Sequence, residues 1–251
     1  MDIKIYVATH KKFILPKDID TSLFIPIHCG KDLYKPEEDN CKGTLPELGD
    51  NTGINISKRN PHFSELTAMY WIWKNDKKSD IVGLNHYRRY FKDNSDNFIT
   101  REQILEILDN YEFIVDGCNS DNGAGYHKDR GVYDDYGDFH NQKDIENALI
   151  ACKHLFPELY SDFYYEIHHC CDMNYCNAII AKKELFDEYC SFLFPVLFEV
   201  ESKIDYKNDT FYDPYQARSC GFLSERLFRP WLASAGHTFK NFPFPCIEEE
   251  E

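Results

Sequence analysis

Asp80-Ile81-Val82-Gly83-Leu84-Asn85-His86-Tyr87-Arg88-Arg89-Tyr90-Phe91 is the stretch on which the reading of this chain turns. Ile81 to Leu84 form an apolar run of the length of a buried strand. The run then breaks into an imidazole, a phenol and two adjacent guanidiniums. In an α/β protein such a strand delivers its last residues to the crevice at the carboxyl edge of the sheet, where ligands bind. Two arginines there would make an anion clamp, because a guanidinium is a planar fork that matches phosphate or carboxylate. The bland alternative is a strand followed by a solvated basic turn, or arginines paired with some of the chain's many acids.

The flanking segments favour alternating strands and helices. Lys4-Ile5-Tyr6-Val7-Ala8 is a strand candidate that stops at Thr9-His10, as the first strand of many nucleotide-binding α/β domains does. Phe24-Ile25-Pro26-Ile27-His28 is a second short apolar piece, and the Gly- and Pro-containing residues 30–50 read as a loop. Asp50-Asn51-Thr52-Gly53-Ile54-Asn55-Ile56-Ser57 is dense in turn formers; it could close over a ligand or be an ordinary loop. Asn60-Pro61 looks like a helix start, and Phe63, Leu66, Tyr70 and Trp73 continue it as one apolar stripe, with Glu65 and Thr67 off the stripe. Thr100 followed by Gln103 opens another helix with a capping pattern. Glu112 to Val115 is a further strand. Helix and strand in turn predict a mostly parallel sheet with helices on its faces.

Residues 116–142 read as a long loop in which Tyr133 and its acidic neighbours suit sugar binding, although a plain acidic loop fits as well. His168-His169-Cys170-Cys171 with Cys176 raises zinc, but the spacing matches no standard ligand set. A loop running into a buried strand, with Asp172, Asn174 and Asn177 aimed at a ligand, is the preferred reading. Lys182 to Ile204 predicts a long helix that Pro195 should kink.

Composition limits the function classes. The chain has 251 residues, 43% of them hydrophobic and 16% aromatic, enough for one large α/β domain. Its net charge of −15 argues against a nucleic-acid partner and makes any local basic pocket stand out. The ten cysteines show no disulfide framework and no secretory or membrane-spanning segment is visible, so free thiols in the cytoplasm are expected.

Several of these pieces together resemble a known family. They are Ile5 to Lys11, Asp50 to Ser57, Asn60-Pro61 through Tyr70-Trp71, Gly83 to Phe91, Lys183 to Cys190, Leu193 to Glu199, Gln216-Ala217-Arg218 and Leu223-Ser224-Glu225. The chain resembles, over nearly its whole length, the DUF4422 domain family of glycosyltransferase-related proteins from bacterial capsule, exopolysaccharide and lipopolysaccharide gene clusters. His-Tyr-Arg-Arg-Tyr-Phe is the most specific part of the likeness. The resemblance implies a GT-A-like, Rossmann-like α/β fold with a mostly parallel central sheet and a helical C-terminal part. One domain over residues 1–247, then an acidic tail 248–251, is the expected organisation. The implied activity is a hexosyltransferase-class transfer from a nucleotide-sugar donor, a UDP-sugar foremost, to a glycan or lipid-linked glycan acceptor, with peripheral membrane association left open.

On this reading Thr9, His10, Asn55, Ser57, His86, Tyr87, Arg88 and Arg89 bind the donor, and Asn174, Asn177 and Tyr133 the acceptor. The family often carries His at the position of Asn174 and keeps Asn177. GT-A enzymes typically hold a divalent metal through Asp-x-Asp after a central strand. Here His86-Tyr87-Arg88 stands at the comparable strand end. The expectation is therefore that Arg88 and Arg89 neutralise the diphosphate with no cofactor, Mn²⁺ or Mg²⁺ on Asp116, Asp134-Asp135 or Asp172 being the alternative. An inverting transfer needs one carboxylate to take the acceptor proton, and Asp172 and Glu225 are the candidates. Glu225 is equally open to an idle salt bridge with Arg226 or Arg218. The missing Asp-x-Asp keeps a second class in view, a non-catalytic nucleotide-sugar- or glycan-binding subunit.

Overall fold

The opening stretch does form a strand, β3 (Ile81–His86), and every residue but the last is buried. Gly83 has a definite role in it: a Cβ there would lie 2.8 Å from the Ile179 carbonyl oxygen and from Ile180 Cγ1 on the neighbouring strand. The neighbour can approach this closely only because glycine has no side chain. The computed structural model describes residues 1–117, 131–171 and 173–247. The candidate base Asp172, the middle of the long loop and the tail 248–251 lie outside the described residues.

Six strands form one sheet in the order β2-β1-β3-β5-β4-β6, with β1 (Ile3–Thr9), β2 (Phe24–His28), β4 (Phe113–Asp116), β5 (Ile179–Lys182) and β6 (Phe239–Phe242) around β3. β1 runs parallel to both β2 and β3, and β4 parallel to β6, while β5 is antiparallel to β3 and β4. The sheet is thus mostly parallel, with one reversed strand. The chain goes from β1 to β2 on one side and then to β3 on the other. The carboxyl ends of β1 and β3 therefore flank the switch point where open α/β sheets form their crevice. Because β5 is reversed, the chain enters it at this same edge, with Ile179 opposite Leu84.

Alternation along the strands sends side chains to two cores. Tyr6, Ala8, Val82, Leu84 and Ile179 join one core, packed by α2 (Leu66–Asn75) and by the helical C-terminal part. That part comprises α4 (Val132–Phe139), α5 (Gln142–Leu155), α6 (Tyr160–His169), α7 (Lys183–Glu201) and α8 (Ser219–Ala235). Ile3, Ile5, Val7, Ile81 and Ile180 join the other, covered by α3 (Arg101–Leu108) and by Tyr87, Tyr90 and Phe91. The capping box at α3 is formed in both directions: Gln103 N–H donates to Thr100 Oγ1 at 3.2 Å and Thr100 N–H to Gln103 Oε1 at 2.9 Å.

Three local expectations need correction. The helix expected from Asn60 is split into α1 (Asn60–Phe63) and α2, because Ser64 adopts φ 50°, ψ −131° between them. The loop expected over 116–142 becomes helical from Val132 onward, since Val132 and Tyr136 bury completely and this burial overrides the weak propensity of Asp134, Asp135 and Gly137. α7 ends at Glu201, short of the expected Ile204; it contains Pro195, whose neighbours Phe194 and Val196 are buried on its core face. No described helix is long and apolar enough to cross a membrane, and none of the described cysteines is in a disulfide.

Candidate active site

A cavity of about 280 Å³ opens at the switch point. One wall is made of strand ends: Ala8 and Thr9 at the end of β1 with His10 after it, and His86 at the end of β3 with Arg88 after it. Ala8 and His86 sit opposite each other in register, on the face that carries most of the helices. The other wall comes from the broken helix and from the segment before α8: Asn60, Ser64, Glu65 and Arg218.

The field in this cavity is positive. Among the described residues neither Arg88 nor Arg218 is ion-paired. Arg88 rests over the Tyr87 ring at 5.2 Å, and Arg218 Nε donates to Ser64 Oγ at 3.0 Å. The two imidazoles register the charge. His86 is pulled down to about 3 by burial and then by Arg88, His10, Arg89 and Arg218. His10, at the open mouth, is also lowered, by the surrounding protein first and by Lys11, Arg218 and Arg88 next. Both rings are therefore neutral near pH 7. His86 Nδ1 accepts from the Arg88 N–H at 3.2 Å, which assigns the ring proton to Nε2. Guanidiniums outside any ion pair and a neutral imidazole donor in a crevice suit an anion with several acceptor oxygens.

Against this stands a pair of carboxylates. Glu65, the first residue after the helix break, lines the cavity, and its Oε1 accepts from Asn177 Nδ2 at 2.6 Å. Asn177 is held from behind by Ser224 Oγ, which donates to its Oδ1 at 2.6 Å. Glu225 of α8 sits beyond this wall: its Oε1 accepts from the Cys176 N–H at 2.8 Å and its Oε2 from Arg226 at 3.2 Å. Burial pushes the Glu225 carboxyl up to about 7, the charge of Glu65 adds to the rise, and Arg226, the Cys176 N–H and Arg218 oppose it. A carboxyl poised near neutrality beside a second carboxylate is the arrangement acid–base chemistry uses.

The backbone around this pair is in unusual conformations. Ser64, Cys176 and Asn177 all have φ between 50° and 53°, though none is glycine. Such residues cost of order 1–3 kcal/mol each and persist where their surroundings over-determine them. Here the determinants are visible: Asn60 Nδ2 donates to the Ser64 carbonyl at 2.8 Å, and Cys176 and Asn177 are tied to Glu225 and Glu65.

The expected site residues separate into groups. Thr9, His10, His86 and Arg88 line the cavity together. Arg89 does not; its N–H donates to the His86 carbonyl at 3.0 Å, and its backbone bridges to Cys246. Tyr87 is buried edge-on against Phe13 and His10, so it supports the strand end from below. Ser57 is fully buried and donates to Asp50 Oδ1 at 2.6 Å, which pins the 50–57 segment instead of offering it to a ligand. Asn55 lines a different groove, with Tyr70, Phe198 and Glu201. Asn177 meets the site through Glu65, whereas the Asn174 side chain donates to the Ala178 carbonyl at 2.9 Å and holds the turn. Tyr133 is on α4, bonded to Glu146 and packed on His168, away from the cavity lining.

Glu65, Ser64, Asn60 and Arg218 were not foreseen as site residues. The available signal was the family resemblance, since all four fall in the stretches that carry it. Of the acids considered as metal ligands, Asp172 lies outside the described residues, and none of the others lines the cavity. Among the described residues no three His, Cys, Asp or Glu groups gather to hold a metal ion.

Comparison with known proteins bears on the family and the fold. The model of the family described as domain of unknown function DUF4422 matches residues 4–236. No curated protein matches the sequence. Among solved structures, the chain is similar to the apo structure of the WbbM bifunctional glycosyltransferase, with a TM-score of 0.78 and 25% identity. The likeness covers 99% of this chain and 46% of that one, so this chain spans about half the length of its structural neighbour.

Proposed function

This chain belongs to the DUF4422 family, and we propose that it is a glycosyltransferase that moves a sugar from a nucleotide-sugar donor to a growing surface polysaccharide or glycoconjugate. Its glycosyltransferase-like fold is common ground with WbbM. The observation that carries the proposal is the meeting, at one switch point, of the unpaired Arg88 and Arg218 with the Glu65–Glu225 pair.

The diphosphate of a UDP-sugar lies against Arg88 and Arg218, with His86 Nε2–H as a neutral donor beside them. As the bond from the anomeric carbon to the phosphate oxygen breaks, negative charge grows on that oxygen, and the two guanidiniums stabilise it without a metal. In an inverting transfer the acceptor oxygen attacks the anomeric carbon and its proton passes to the carboxylate pair. Glu65 faces the cavity; Glu225, poised near 7, takes up or releases the proton at neutral pH. Asn177 keeps Glu65 in place.

The test is incubation with UDP-, GDP- and CMP-sugars in chelator-treated buffer without acceptor. Slow release of UDP from a UDP-sugar is the expected result. Binding without any release would instead favour a sugar-binding subunit that lacks chemistry. Donor binding that appears only when Mn²⁺ is added would remove the two arginines from the role assigned to them.

A further inference from the structure

We infer that Tyr215, at the rim of the cavity, is a stacking platform for the acceptor sugar; the inference rests on the glycosyltransferase reading above. The Tyr215 ring is 57% exposed, yet it is held firmly. Its N–H and that of Gln216 both donate to Asp213 Oδ1 at 2.8 Å, and the Ala217 N–H closes the turn on the Asp213 carbonyl at 2.8 Å.

Beneath it runs a column of rings. Tyr215 packs 5.1 Å from Phe222, Phe222 stacks at 4.2 Å on His140, and His140 lies 4.8 Å from the fully buried Tyr136. The lower rings are anchored in turn. Tyr136 donates to Asp144 Oδ2 at 3.3 Å, and His140 Nδ1 bonds Gln216 Oε1 at 2.9 Å, tying the column back to the turn that carries Tyr215. An exposed ring on such a support loses little conformational freedom when something binds to it.

Arg218 connects this ring to the cavity. Its guanidinium lies 5.9 Å from the centre of the Tyr215 ring and 5.2 Å from that of Phe222, and the same side chain lines the cavity. A ligand seated on Tyr215 is therefore one side chain away from the donor phosphates. The occupant that fits is a pyranoside. Its C–H face meets the electron-rich face of the ring while its hydroxyls stay in water at the rim. A neutral sugar also avoids the repulsion that a protein of net charge −15 exerts on an anionic ligand outside the arginine patch.

The experiment uses the full chain, UDP as the cavity probe, and the methyl α- and β-pyranosides of galactose and glucose as rim probes. Saturation-transfer NMR should show contact with one C–H face of at least one glycoside. In Tyr215→Ala the sugar affinity should fall by about five- to tenfold, in Tyr215→Phe it should be kept, and in both UDP affinity by calorimetry should be unchanged. Sugar contact undiminished in Tyr215→Ala would overturn the platform. Contact with none of the four glycosides by a wild type that binds UDP would also overturn it, and would leave the donor reading intact. A wild type that binds no UDP overturns the donor reading and the platform together.

Discussion

The two walls of the cavity were built by different means. The strand wall, with Thr9, His10, His86 and Arg88, follows from one local rule: an apolar run ends, and the next residues stand at the carboxyl edge. Its arginine is uncommitted and its imidazole is starved of protons. The helical wall, with Ser64, Glu65 and Arg218 and with Glu225 behind it, depends on contacts between distant parts of the chain, such as Asn177 to Glu65 and Arg218 to Ser64. Each of its carboxylates is tethered. One wall therefore works by charge without partners, the other by charge held in place, and the two should fail differently when altered.

The largest difference should appear in turnover. Glu225→Gln and Glu65→Gln should each lower the rate by about 10²- to 10⁴-fold, the usual worth of a positioned acid or base, while UDP affinity by calorimetry changes little. A near-normal rate in either variant would remove that residue from the chemistry. Next in size is the strand wall. Arg88→Ala should weaken UDP binding by roughly 10- to 100-fold, as expected for charge-assisted hydrogen bonds of about 1.5–3 kcal/mol. Ser57→Ala, in the loop that turned out to be internally bonded, should leave UDP affinity unchanged; an equal loss there would erase the contrast between the walls.

Smaller again is the structural role of the tether. Asn177→Ala removes a buried amide from between Glu65 and Ser224, and should cost about 1–3 kcal/mol in a denaturant titration. An effect of similar size concerns pH. The Glu225 carboxyl is raised from 4.5 to about 7 in the folded protein, so the native state holds its proton more tightly than the unfolded chain between those values. Its contribution to stability is complete below about pH 4.5 and is lost as pH rises through about 7. Glu225→Gln cannot ionise, so relative to the wild type it should gain stability between pH 5 and 8, by at most about 2–3 kcal/mol. A gap between the two proteins that does not change with pH would contradict the raised carboxyl.

The same contrast explains what the sequence disclosed. β1, β3, α3 and the long helix α7 were legible because each announces itself within a window of a few residues: an apolar run, a Thr–Gln capping pair, a repeating stripe. Ser64 gave no warning, because a left-handed φ at serine is imposed by Asn60 and by the packing of α1 on α8, not by its own preference. α4 was hidden for a similar reason, its helix being secured by the burial of Val132 and Tyr136 in a stretch rich in turn formers. Arg218 lies 154 positions from the serine it bonds, and no local pattern brings two such residues together. Arg89, next in sequence to Arg88, acts on His86 without lining the cavity, whereas Arg218 lines it.

The reversed strand β5 has a consequence for engineering. In an all-parallel sheet, the turn before a strand sits at the amino edge, far from the ligand. Here the turn Asn174–Asn177 hangs over the carboxyl edge, where it meets the end of β3, while Thr9, His10 and His86 are carried by β1 and β3 themselves. Residues 173–178 are thus a cassette. Exchanging them between relatives should retune what sits beside Glu65 and leave the proposed nucleotide binding at the parallel strands unchanged.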